Sequence, residues 1–150
     1  MKLSRELLNN LINITTNSAI ACFPYIGKNE KILADKAATD VMRYQLNKLN
    51  INGEVVIGEG ELDQAPMLYI GEKLGNGNGP NIDIAVDPVE GTNFVAKNLP
   101  GAMSVLAISE KGNLFNAPET YMEKIVTGNH IPKDVIDLDY TVEKNVKNYS

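Results

Sequence analysis

Histidine and cysteine are almost missing from these 150 residues: His130 and Cys22 stand alone, and tryptophan is absent. One cysteine can close no internal disulfide and build no thiolate metal cage. One histidine excludes histidine-based metal or triad chemistry within the chain. Positive charge is also short, with 14 Lys and Arg against 19 Asp and Glu and a net charge of -5. Phosphate backbones repel such a balance, so nucleic acid is not an expected partner. No apolar run is long enough to cross a bilayer, and no membrane partner is expected. The opening MKLSRELLNNLINITT carries Glu6 and several asparagines. It lacks the apolar core of a signal peptide, and a reducing, cytoplasmic setting is expected. There is no G-x-x-x-x-G-K-[ST] phosphate loop and no G-x-S-x-G elbow. GNGNG at 75–79 runs into Pro80 and reads as a loop, not a dinucleotide site.

What remains is an ordinary folded composition, 43% apolar and 22% charged, enough to close one core. Ser4 is a suitable cap for a first helix carrying Leu7, Leu8, Leu11 and Ile12, ended near Pro24 and Gly27. A second helix is predicted from Asp35, with Ala38, Val41, Met42, Leu46 and Leu49 at helical spacing and Asn52-Gly53 as its stop. A short strand, Val55 to Ile57, leads into a glycine-flanked turn. DQAPMLYIGEKLG reads as a third helix between Asp63 and Gly75. NIDIAVD alternates as a strand, followed by a short helical piece around Phe94 to Lys97. AMSVLAIS reads as a strand, EKGN as a hairpin turn, LFN as its return and TYMEKIVTG as a further strand. The polar tail from Asn129 receives no assignment. Helices followed by strands in hairpin order predict an α+β class.

The chemistry is carried by acids at strand ends and helix starts. In Asp87-Pro88-Val89-Glu90-Gly91-Thr92, a structural reading is a capping box, with Asp87 as N-cap, Pro88 at the first position and Glu90 reaching back. Gly91 fits that reading poorly. The functional reading uses a helix-like turn, in which Asp87 and Glu90 come within roughly 5–6 Å at Cβ and can share an ion. Asp83, about 13 Å back along the strand, cannot join them. Gly91 would let backbone approach a ligand, and the opening N–H groups of Gly91 and Thr92 suit a phosphate oxygen. Gly58-Glu59-Gly60-Glu61 is a second cluster, and Asp35 with Lys31 one turn earlier a third. Taken singly, each reads as a polar turn or a helix cap. Together they are a donor set for hard cations, which take carboxylate and water oxygens.

The sextet DPVEGT, with INGEVVIGEGELDQAPMLYIGEKLG and NAPETYMEKIVTG in order, closely resembles the class II, bacterial-type fructose-1,6-bisphosphatases. These belong with the metal-dependent, lithium-sensitive sugar and inositol phosphatases. The likeness runs from the first helix to about Gly128. It implies the N-terminal half of a layered αβαβα fold, with helices on a mainly antiparallel sheet. Residues 1–150 would be its N-terminal metal-binding domain, and a C-terminal domain with a further acidic ligand would follow. It implies Asp35 and Glu59 as ligands of one ion and Asp87 and Glu90 of another, with two or more Mn²⁺ or Mg²⁺ in all. Glu90, Gly91, Thr92, Tyr121 and Lys31 would meet substrate, and Asp63 would lie near the site. Thr92, Asp35 and Glu59 would serve catalysis, Thr92 aiming a water. The implied reaction is hydrolysis of fructose 1,6-bisphosphate to fructose 6-phosphate in gluconeogenesis, by a homodimer or larger assembly and without a protein nucleophile. Sedoheptulose 1,7-bisphosphate or an inositol monophosphate are the other expected substrates. A non-catalytic binding module is the reading from another class, and the 150 residues alone are expected to be weakly active or inactive.

Overall fold

The first helix begins where its cap predicts. In a computed structural model, which describes residues 4–59, 67–115 and 122–149, the Ser4 hydroxyl accepts a hydrogen bond of 3.1 Å from the Leu7 N–H. Helix α1 follows, Arg5–Cys22. Its inner face carries Leu7, Leu11, Ile14, Ser18 and Cys22, whereas Leu8 and Ile12 point to solvent. A 3-10 turn over Phe23–Tyr25 ends it, since Pro24 has no N–H to continue the ladder. Helix α2 spans Lys31–Leu46, four residues ahead of the predicted start. Glu30 is its N-cap residue, and its carbonyl accepts from the Ala34 N–H. Asp35 is therefore an interior helical residue and caps nothing. Ala34, Ala38, Met42 and Leu46 form the buried stripe of α2 at i, i+4 spacing.

Four strands form one sheet, in the order β2-β1-β3-β4. Strand β1 is Asn52–Ile57, β2 is Lys73–Leu74, β3 is Asn81–Glu90 and β4 is Met103–Glu110. Asn52-Gly53 opens β1 and does not stop α2. A Cβ on Gly53 would lie 2.5 Å from Ile84 Cδ1 and 3.0 Å from the Leu74 carbonyl oxygen, so close strand packing explains this glycine. The pairs β1–β2 and β3–β4 are antiparallel, while β1 and β3 run parallel. The sheet is mainly antiparallel, as expected, and its one parallel join brings the C-terminal ends of two strands side by side. Ile82, Ile84 and Val86 of β3 pack with Val55, Ile14, Met42 and Leu46 in the main core. Burying each such side chain contributes about 1.5–3 kcal/mol before entropy is counted. The fold is α+β, with helices on a mixed sheet that is antiparallel at two of its three joins.

Two other expectations change in this part of the chain. Met67 to Gly75 is not helical but turn and strand β2. Gly71 sits at φ +93, which no helix accommodates. The Arg43 guanidinium accounts for the chain's path here, donating to Glu72 at 2.6 and 3.1 Å and to the Met67 carbonyl at 2.6 Å. Asp63 lies outside the described residues. Leu114-Phe115 does not return as a strand, because the Leu114 N–H turns toward Asp83. Buried Asp83 accepts from Gly112 N at 2.6 Å and Leu114 N at 3.4 Å, clamping the turn after β4.

Met1–Ala117 and Pro118–Ser150 are two compact units. In the second, Met122 to Gly128 is not the expected strand; among the described residues no strand pairs with it to complete a ladder. Helix α4, Val142–Tyr149, lies in the unassigned tail. The Thr141 hydroxyl accepts from Lys144 N at 3.2 Å at its start. Asn145 exchanges hydrogen bonds with the Asp137 backbone, at 2.9 and 2.8 Å.

Candidate metal centre

Two strand ends build the site. Ile57 of β1 pairs with Ala85 of β3. Two residues further along each chain stand Glu59 and Asp87, so the parallel register delivers both acids to one edge of the sheet. The crevice beyond the carboxyl ends of parallel strands is where open sheets hold ligands. Glu59 is held from behind, its N–H donating to the Leu68 carbonyl at 2.9 Å.

The D-P-V-E-G-T segment takes neither of the two geometries predicted for it. Asp87 is not a helix cap, and no helical turn joins it to Glu90. Strand β3 continues through Pro88 and Val89 to Glu90, with an irregularity in its pairing with β4 between Asp87 and Glu90. Pro88 brings no N–H to the ladder. The Asp87 carboxylate takes up the local slack, its Oδ1 accepting from Val89 N at 3.0 Å. Gly91 then turns the chain at φ +84 into the short helix α3, Thr92–Ala96. A Cβ there would meet the Phe94 ring at 2.9 Å. Backbone handedness thus requires this glycine even without a ligand.

The electrostatics identify what Asp87 faces. Its carboxyl is pushed up to about 6, first by burial and then by the hydrogen-bonded, negatively charged Glu90 beside it. Hydrogen bonds from the Glu59 side chain and the Val89 N–H pull the other way. Glu59, Asp87 and Glu90 therefore meet through Asp87. They do not close a cage: among the described residues no group of three Asp, Glu, His or Cys side chains is placed to hold a metal ion.

Asp35 approaches from α2. The residue before it, Ala34, packs with Val89, Val95, Ala38 and Cys22 in a second apolar cluster, which sets the start of α2 against the D-P-V-E segment. Its carboxyl is raised by burial, and its Oδ1 is buried with no hydrogen-bond partner. The Asp35 charge adds to burial in pushing the Cys22 thiol up to about 11. Lys31, one turn earlier, is exposed. Thr92 is half-buried at the start of α3. Tyr121 lies outside the described residues, as do Gly60 and Glu61. Like-charged, partly buried carboxylates with an orphaned acceptor are costly as they stand. They suit a hard cation, which would relieve the repulsion. Sequence reading passed over the Arg43–Glu72 pair and the buried Thr39. The i, i+4 spacing of Asp35, Thr39 and Arg43 on one helix was the available signal.

Residues 5–150 match the family described as bacterial fructose-1,6-bisphosphatase, glpX-encoded. The class 2 fructose-1,6-bisphosphatase 1 of Escherichia coli K12 is 47% identical over 144 residues, 96% of this chain and 43% of that protein. The D-fructose 1,6-bisphosphatase class 2/sedoheptulose 1,7-bisphosphatase of a Synechococcus strain is 46% identical over 145 residues, 97% of this chain and 43% of its own length. The class 2 enzyme of Haemophilus influenzae is 43% identical with the same coverage. A solved extragenic suppressor from Pyrococcus furiosus aligns with TM-score 0.48 and 18% identity, over 71% of this chain and 41% of that one. The chain thus spans about two fifths of the length of the curated relatives it matches. It belongs to the bacterial fructose-1,6-bisphosphatase family.

Proposed function

From membership of that family we propose that this chain supplies the N-terminal metal-binding domain of a metal-dependent phosphatase. The reaction is hydrolysis of the 1-phosphate of fructose 1,6-bisphosphate, a step of gluconeogenesis in the cytoplasm. The observation that carries the reading is the meeting of Glu59, Asp87 and Glu90 at the ends of two parallel strands, in a chain 47% identical to a named bisphosphatase. Asp35 and Glu59 would hold one divalent ion, and Asp87 and Glu90 another, Mn²⁺ or Mg²⁺. Bound there, such ions would supply charge neutralisation for the phosphate and Lewis acidity toward water. Glu90, Gly91 and Lys31 would position the substrate, and the Thr92 hydroxyl would orient a water. Positioning and electrostatics do the rest, since this transition state spreads its charge over the equatorial oxygens.

The assembly is a homodimer or larger, and the wider kinship is with the lithium-sensitive phosphatases. The test is phosphate release from fructose 1,6-bisphosphate by the protein at the length of its relatives, with and without Mn²⁺ and with added lithium. No metal-dependent release would overturn the proposal. A second substrate, sedoheptulose 1,7-bisphosphate, is favoured by the Synechococcus relative, whose name carries both activities. Comparing kcat/KM for the two sugars decides between them.

A further inference from the structure

Thr39 is fully buried, at 0% exposure, and its Oγ1 has no hydrogen-bond partner. Two helix hydroxyls of α1 bond back to their own helix. Ser18 donates to the Ile14 carbonyl at 2.9 Å, and Thr15 to the Ile12 and Leu11 carbonyls at 3.0 and 3.4 Å. The Thr39 hydroxyl does not, although the Asp35 carbonyl stands four residues back. A valine has nearly the same shape and would fill this place with no orphaned polar atom, so packing alone does not account for a threonine.

The neighbouring orphan is Asp35 Oδ1, also buried without a partner. Residues at i and i+4 lie on one helix face, roughly 5–6 Å apart at Cβ. One orphan is a hydroxyl, which can donate; the other is a carboxylate oxygen, which can only accept. The nearby thiol of Cys22 is committed elsewhere, contacting the Ser18 and Ala34 carbonyls at 3.5 Å. We propose that Thr39 is a positioning residue of the metal site: its hydroxyl donates to the Asp35 carboxylate through one buried water. That bond ties one carboxylate oxygen to α2 and aims the other at the cation. The proposal rests on Asp35 being a metal ligand, and the experiment separates the two ideas.

Mn²⁺ affinity is measured by titration calorimetry on the protein at the length of its relatives and on its Asp35→Asn, Thr39→Val and Thr39→Ser variants, with metal-free melting curves for each. Loss of a hydrogen bond that orients a metal ligand weakens metal binding about ten- to a hundredfold. Thr39→Val is expected to show that loss while melting at or above the wild-type temperature without metal. Thr39→Ser, which restores the hydroxyl, is expected to recover most of the affinity; a purely space-filling role would favour the valine instead. If Thr39→Val binds Mn²⁺ as tightly as wild type, or Thr39→Ser as weakly as Thr39→Val, the Thr39 inference falls while Asp35 stands. If Asp35→Asn leaves Mn²⁺ binding intact, the ligand assignment falls and Thr39 with it.

Discussion

Replacing Asp87 with asparagine should strengthen the metal-free fold and remove its response to metal. The Asp87 carboxyl, ordinarily near 3.8, is raised to about 6 by burial and by Glu90. A raised acid stabilises the folded state only when protonated, so its contribution is complete below about pH 4 and is lost as pH climbs from 4 to 6. At 1.36 kcal/mol per unit, a shift of this size has an upper limit of about 3 kcal/mol. Half-burial and solvent screening reduce it to about 1–2 kcal/mol. Asparagine removes the charge but keeps an oxygen for the Val89 N–H, now received at 3.0 Å. At pH 7.5, without divalent ions, Asp87→Asn should therefore melt roughly 2–8 °C above wild type, and the gap should close toward pH 4. With Mn²⁺ the order should reverse. Wild type gains stability by binding, the variant does not, and the protein at full family length loses phosphate release. Scanning calorimetry across pH 4–8, with and without Mn²⁺, reads all of this. A variant that melts below wild type without metal, or that keeps its Mn²⁺-induced rise, would refute the crowded-carboxylate reasoning.

Three further predictions concern the scaffold. Gly91→Ala forces a Cβ to within 2.9 Å of the Phe94 ring at φ +84; it should cost about 1–2 kcal/mol in urea denaturation, and an unchanged midpoint would contradict the turn geometry. Arg43→Ala strips the partner from Glu72, which is 8% exposed, and should cost about 2–4 kcal/mol, much of it regained in the Arg43→Met, Glu72→Leu double variant. Cys22, buried and with its thiol pushed up to about 11, should resist DTNB at pH 8 until urea unfolds the chain; rapid reaction of the native protein would show the site to be open.

The parts of the fold legible in the sequence were those set by local rules. The Ser4 cap, the apolar stripe of α2, the strands at Val55 and Ile82, and the turn at Gly112 each follow from spacing or turn chemistry within a few residues. What escaped was decided by distant partners. The segment from Met67 to Leu74 has a fair helical pattern, but Arg43, some 25 residues away, holds its carbonyl and Glu72 in a turn. Asp83 reads as one more strand acid until the turn after β4 supplies its two N–H donors. The parallel pairing of β1 with β3 joins segments separated by β2 and a loop, and hairpin order gave no hint of it.

The candidate site shows the same division in a single hexapeptide. That Asp87 and Glu90 belong together was readable from their spacing, yet a helical turn was the wrong reason. A strand would normally send positions three apart to opposite faces. The irregularity around Pro88 offsets that alternation, and Glu90 comes back to Asp87's side while Val89 remains in the core. Proline here changes which face the second acid occupies, and the left-handed Gly91 then carries the chain directly into Thr92. The order acid, proline, apolar residue, acid, glycine, threonine thus encodes a bulged strand end that gathers two carboxylates just ahead of a hydroxyl. The same residues in an unbroken strand or a regular helix would separate them.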